Sequence, residues 1–142
     1  MGERHVSPEH IVNDLLANDP FSQWIGLKVI KAKKGFCSIE CTVNAEMLNG
    51  YDVAHGGIIF SVADTALAFS AATFGRTALA LDNSISFTRK AKLGDVLTAE
   101  AEAINMTTRT GLFNVKAVNQ RAETVSVMKG TVYRPGDTDI QK

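Results

Sequence analysis

An excess of charge of either sign is missing from this sequence. Its 15 basic residues offset its 15 acidic ones, so no net field draws the chain to nucleic acid or anionic lipid. No cluster of Lys and Arg makes a basic patch. Long apolar runs are missing too, and none approaches the length of a membrane span. The opening MGERHVSPEH lacks the apolar stretch of a secretory signal, so a cytoplasmic protein is expected. Cysteine is scarce. Cys37 and Cys41 are four residues apart, roughly 13 Å along a strand and beyond disulfide reach. They read as small buried apolar residues. With no CxxC and no His/Cys cluster, no metal site is expected. Histidine occurs only at positions 5, 10 and 55, which leaves no Ser–His or Cys–His nucleophile pair in view. Internal repeats and low-complexity segments are also lacking.

What is present is an ordinary globular composition, 45% hydrophobic and 21% charged over 142 residues, which suits one domain spanning 1–142. Ser7 and Pro8 open a short amphipathic helix over 8–17, with Ile11, Val12, Leu15 and Leu16 at helical spacing. Asn18-Asp19-Pro20 ends it, and FSQWIG adds one more turn. Residues 25–33 and 36–44 flank the Lys33-Lys34-Gly35 turn. In the second run Cys37, Ile39, Cys41 and Val43 alternate with Ser38, Glu40 and Thr42, the pattern of a half-buried antiparallel strand. A loop over 45–55 leads to a helix over 56–74, ended by Gly75. Strands are expected over 77–90, 96–104, 110–119 and 123–134, followed by a frayed tail, DTDIQK. One long helix among antiparallel strands makes an α+β domain with the sheet wrapped on that helix.

The long helix raises the functional question. GIIFSVADTALAFSAATF is apolar nearly all round, as a buried helix is, yet it carries Asp64. A buried, unpaired carboxylate costs several kcal/mol or shifts its pKa. At 100° per residue Gly57, Ser61, Asp64, Thr65, Ala68 and Ala72 share one small, polar stripe. Such a stripe suits close packing of another backbone, or the floor of a cleft into which Asp64 points. His55-Gly56-Gly57 stands where this helix begins. The first N–H groups of a helix lack internal partners and carry the positive dipole end. Glycines let a ligand approach them, so this end suits an oxyanion. The tripeptide alone also fits a tight turn; Asp64 and Asn49 nearby in the chain favour the functional reading. Gly56 and Asp64 are eight residues apart, roughly 12 Å along a helix axis. Both cannot reach one carbonyl from the same helix, so a shared site demands a dimer with two antiparallel central helices.

These residues resemble the hotdog-fold thioesterases, specifically the PaaI-type acyl-CoA thioesterases of phenylacetic acid degradation. The carrying motifs are Met47-Leu48-Asn49-Gly50, His55-Gly56-Gly57 and Phe60-Ser61-Val62-Ala63-Asp64-Thr65-Ala66. Ser84-Ile85-Ser86-Phe87-Thr88-Arg89, Leu93-Gly94-Asp95 and Val118-Asn119-Gln120 continue the match in order, over roughly residues 10–135. The resemblance implies a hotdog dimer, often a dimer of dimers and so a homotetramer. It implies hydrolysis of aryl-acyl-CoA, such as phenylacetyl-CoA or hydroxyphenylacetyl-CoA, to acid and free CoA. Gly56 N–H would polarise the thioester carbonyl, and Asp64 of the facing subunit would be nucleophile or general base. Asn49 and His55 would position the thioester, the water or the carboxylate, and Gly57, Thr65, Ser61 and Arg89 would contact substrate. Some relatives place a helper Ser on the long strand, where this chain has Ala80. No metal or redox cofactor is implied, coenzyme A being part of the substrate.

From the residues alone other roles stay open. His55 could close the loop rather than act on substrate, and Asn49 could cap the 45–55 loop. Arg89, Lys90 and Arg109 are candidates for CoA phosphates, or are solvated strand ends. A hotdog hydratase pairs its Asp with a following His, and none follows Asp64. A non-catalytic acyl-CoA sensor, or a thioesterase for another acyl chain, is the alternative function. A DNA-binding regulator would need a basic helix-turn-helix that this sequence does not supply.

Overall fold

A computed structural model describes residues 6–136. Helix α1, Pro8–Ala17, starts at Ser7, whose hydroxyl accepts from the His10 N–H at 3.1 Å. Helix α2, Pro20–Trp24, starts at Asp19, which accepts from the Ser22 N–H at 3.0 Å. In both, proline occupies the first turn, where its missing N–H costs nothing. Six strands follow: β1 Lys28–Lys33, β2 Phe36–Thr42, β3 Leu79–Phe87, β4 Val96–Met106, β5 Thr110–Val118 and β6 Thr124–Tyr133. They form one sheet in the order β1-β2-β4-β5-β6-β3. Every pairing is antiparallel. Helix α3, Gly56–Ala72, packs against β2, β3, β4, β5 and β6. This is the hotdog arrangement that the resemblance implies.

The helix sits close because the facing strand residues are small. Ala99 and Ala101 of β4 are fully buried, opposite Ala117 and Val115 of β5. Above them Val62, Ala63, Ala66 and Leu67 of α3 are fully buried as well. Each large side chain so buried contributes about 1.5–3 kcal/mol. Cys37 and Cys41 lie in this core as free thiols. Burial pushes them up to about 12 and about 11 respectively, so both stay protonated and inert as nucleophiles.

Several element bounds differ from expectation. The strand expected from residue 25 begins at Lys28, because Ile25 closes α2 and Gly26 takes φ +74° to turn the chain. The helix expected over 56–74 ends at Ala72, with Thr73 as its cap. The strand expected over 77–90 is shorter, Leu79–Phe87, and the one expected over 96–104 runs on to Met106. The more consequential difference concerns α3, which is not buried all round. Its sheet-facing side is covered, but Gly57 is exposed and Ser61, Asp64, Thr65 and Ala68 are half-buried. The sheet covers one side of a helix only. The expected tail over 137–142 and His5 lie outside the described residues.

The turn before β4 braces the entry to α3. The Asp95 carboxylate accepts from the Lys92 N–H and from Gln120 Nε2, each at 2.9 Å. The Val43 N–H donates to Asp95 O at 2.8 Å, and the Ala54 N–H donates to Ala91 O at 2.7 Å. This turn therefore pins the last residues before His55. The Lys92 N–H, and after it Gln120, hold the Asp95 carboxyl below its ordinary value near 3.8. A depressed carboxyl stabilises the fold above its unfolded-state pKa, and that stability is lost as pH falls through the folded value. Asp95→Ala is expected to cost about 1–3 kcal/mol at neutral pH. Its deficit against the parent should shrink as pH drops below about 4, which thermal melts across pH would read.

Candidate active site

Helix α3 begins at a loop that fixes its own geometry. Asn49 Oδ1 accepts from the Tyr51 N–H at 2.8 Å and the Val53 N–H at 3.3 Å. The Asn49 N–H donates to Val53 O at 2.8 Å, and the His55 N–H donates to Met47 O at 2.8 Å. Asn49 thus ties the loop through its carbonyl oxygen. That matches the loop-capping alternative and leaves only the Nδ2 protons for other work. His55 is the helix cap: its Nδ1 accepts from the Gly57 N–H at 2.8 Å. The ring proton must then sit on Nε2. A Cβ at Gly57 would lie 3.0 Å from His55 Nδ1, so glycine makes room for the cap.

This cap decides which backbone donor is free. The Gly57 N–H is taken by His55, and Ile58 N–H by His55 O. Among the described residues nothing accepts the Gly56 N–H. It stands at the positive end of a 17-residue helix. A cleft of about 350 Å³ opens beside it, lined by Val53, Ala54, Gly56, Ile59, Phe87 and Thr88–Lys90. A Cβ at Gly56 would touch the Phe87 ring at 3.4 Å, so Phe87 closes one side of this donor.

Charge gathers at the rim of the cleft. Arg89 lies 3.6 Å from Glu123, which also pairs with Arg121 at 3.0 Å. Asn119 and then Arg121 hold the Glu123 carboxyl below its ordinary value, with a smaller contribution from Arg89. Arg89 is therefore oriented but partly neutralised. Lys90 lines the same cleft. Arg109, the remaining candidate for a phosphate, is elsewhere: its guanidinium lies near Gly136.

Two turns along α3, Asp64 faces the uncovered side with Ser61 and Thr65. The Ser61 hydroxyl donates to Gly57 O, and the Thr65 hydroxyl to Ser61 O, both at 2.7 Å. Their protons are spent on the helix, and only their lone pairs face outward. Asp64 Oδ1 accepts from Asn83 Nδ2 of β3 at 2.8 Å. Ala80 brings no polar group. Asn83 is the residue that sequence reasoning missed. Its signal was an amide, a residue depleted from strands, among Leu79, Leu81 and Ile85. Among the described residues no three His, Cys, Asp or Glu side chains stand close enough to hold a metal.

Residues 51–126, which hold the cleft, Asp64 and most of the sheet, match the model of the family described as the thioesterase superfamily. The chain belongs to the thioesterase superfamily. It is 38% identical over 121 residues to the acyl-coenzyme A thioesterase PaaI of Escherichia coli K12, covering 85% of this chain and 86% of that one. The structure of the E. coli PaaI protein superposes with a TM-score of 0.90, covering 92% of this chain and 95% of that one at 35% identity. A Streptococcus mutans UA159 protein bound to acetyl CoA superposes with a TM-score of 0.78 at 25% identity, covering 82% of this chain and 92% of that one. As a thioesterase, this chain needs a donor for a developing oxyanion and a group to deliver or become the nucleophile.

Gly56→Pro tests the donor. Proline suits the first helical position, and His55 already has the extended backbone, φ −60° and ψ 137°, that a following proline requires. The variant is expected to fold and melt like the parent. Its thioester hydrolysis should fall about 100- to 1000-fold, measured as kcat by thiol release.

Proposed function

We propose that this chain is a single-domain acyl-CoA thioesterase that hydrolyses aryl-acetyl-CoA, of the phenylacetyl-CoA or hydroxyphenylacetyl-CoA class, to the acid and free CoA. One observation carries the reading: Gly56, whose N–H is unpartnered among the described residues, lines a cleft that Arg89 and Lys90 also line. The thioester carbonyl oxygen accepts from Gly56 N–H, and the CoA phosphates run toward the basic rim. The name of the E. coli relative and the acetyl CoA held by the S. mutans relative support a CoA thioester as substrate.

Asp64 supplies the second half of the chemistry from another copy of the chain. It is roughly 12 Å from Gly56 along the same helix, too far to serve the same carbonyl. The uncovered stripe of α3 lies beside β3, one of the sheet's two edge strands, on which Leu79 and Leu81 are 58% and 65% exposed. An open apolar edge beside a small-residue stripe is what a second copy would cover. Two antiparallel α3 helices then bring each Asp64 to the other chain's Gly56. The carboxylate either attacks the carbonyl carbon, forming an anhydride that water cleaves, or takes the proton of an attacking water. In both courses the tetrahedral oxyanion rests on Gly56 and the CoA thiolate leaves. The dimer pairs further into a homotetramer, works in the cytoplasm and needs no cofactor.

The acyl group has a candidate seat. A groove of about 440 Å³ continues from Ala68 and Ala72, on the Asp64 stripe, to Leu15, Pro20, Phe69 and Leu79. Asn18, Asp19 and Thr77 also line it, and its Ala68, Ala72 and Ala78 surface leaves room for a flat aryl ring, which supports the aryl-acetyl class.

Free-thiol release from a panel of acyl-CoAs tests the proposal. Phenylacetyl- and hydroxyphenylacetyl-CoA should be turned over fastest, and Asp64→Ala should lose at least about 100-fold in kcat with its fold intact. Tight CoA-ester binding without any thiol release would support the sensor instead.

A further inference from the structure

The stripe of α3 holds one polar contact that the chemistry above does not use. Asn83 points inward from β3, and its Nδ2 donates to Asp64 Oδ1 at 2.8 Å. The opposite orientation of the amide would set two acceptors face to face with no proton between them. Asn83 Oδ1 is buried and has no hydrogen-bond partner among the described residues. A buried carbonyl left unmatched calls for an explanation, and here the gain lies at the other end of the amide.

The sheet is built to admit this side chain. Gly130 of β6 stands directly opposite Asn83. A Cβ at Gly130 would run into Asn83 Oδ1 and Leu67 Cδ1. The missing side chain on β6 thus opens the slot through which Asn83 reaches α3. The hydroxyls flanking Asp64 are engaged elsewhere, Ser61 and Thr65 donating to the helix backbone. No partner engages Asp64 Oδ2 among the described residues.

We propose that Asn83 is the positioning residue of the Asp64 carboxylate: its amide ties down Oδ1 and leaves Oδ2 as the oxygen that meets substrate or water. The inference rests on the reading of Asp64 as the catalytic carboxylate. The carboxylate is held from the strand side by an amide threaded past a glycine, so its rotamer is set before the partner chain arrives. The position therefore governs turnover and not the affinity for the CoA ester.

Steady-state kinetics with phenylacetyl-CoA test it, using Asn83→Leu, Asn83→Ser, Asp64→Ala and the Asn83→Leu/Asp64→Ala double variant. Asn83→Leu removes the orphaned carbonyl, which favours the fold, and also the donor to Asp64 Oδ1, which opposes it, so its melting temperature should change little. Its kcat should nevertheless fall about 10- to 100-fold with KM unchanged. Asn83→Ser, which restores a short donor, should recover part of the loss and covers the case of a Leu variant that misfolds. The double variant should be no worse than Asp64→Ala alone. Parental kcat in both Asn83 variants, or a change confined to KM, overturns the assignment while Asp64 stands. Near-parental turnover by Asp64→Ala removes Asp64 and Asn83 together.

Discussion

The structure is organised around one backbone proton. Helix α3 starts with donors that have no internal acceptor, as every helix does. Here His55 takes one of them, at Gly57, and leaves the one at Gly56 free beside a cleft. The selection depends on a chain of local ties: Asn49 closes the loop, Met47 holds His55, and the 91–95 turn holds Ala54. A loose loop would let water or a rotated peptide satisfy the donor. A braced one keeps it aimed, which is what makes a preorganised donor effective against a developing charge.

That constraint propagates outward. A rigid helix separates Gly56 from Asp64, and on the proposed reading this divides the chemistry of one site between two chains. The same helix offers an uncovered stripe of small residues, and the sheet offers β3 as an uncovered edge. On that reading catalysis and assembly use a single surface. The stripe is made of small residues, and Ser61 and Thr65 turn their hydroxyls onto their own backbone. Asp64, on the same stripe, accepts a hydrogen bond from the amide that reaches it from β3.

Most of this architecture was legible in the sequence. Alternation in Cys37–Val43 and the apolar run after Gly57 located β2 and α3, because burial on one face imprints a period. Ser7-Pro8 and Asn18-Asp19-Pro20 marked helix ends through capping chemistry that is local to the chain. The bounds at residues 25 and 77 were less legible. They depend on Gly26 and on where β3 pairs with β6, and pairing is a long-range property. Asp64 stood out, being a charge on an apolar helix. Asn83 did not, because its meaning depends on Gly130, 47 positions later in the chain and opposite it only once the sheet forms. The role of Gly57 was likewise hidden, since only the folded loop turns His55 Nδ1 onto its N–H.

The claim that ties these features together is a site shared between two chains, and subunit mixing tests it most directly. Asp64→Ala and Gly56→Pro chains, each inactive alone, would be unfolded, mixed in equal amounts and refolded together. A mixed dimer carries one doubly damaged site and one intact site if each site draws Gly56 from one chain and Asp64 from the other. The account therefore predicts recovery of about a quarter of parental thiol release after random pairing. No recovery, with mixed dimers shown to be present by mass, would contradict it.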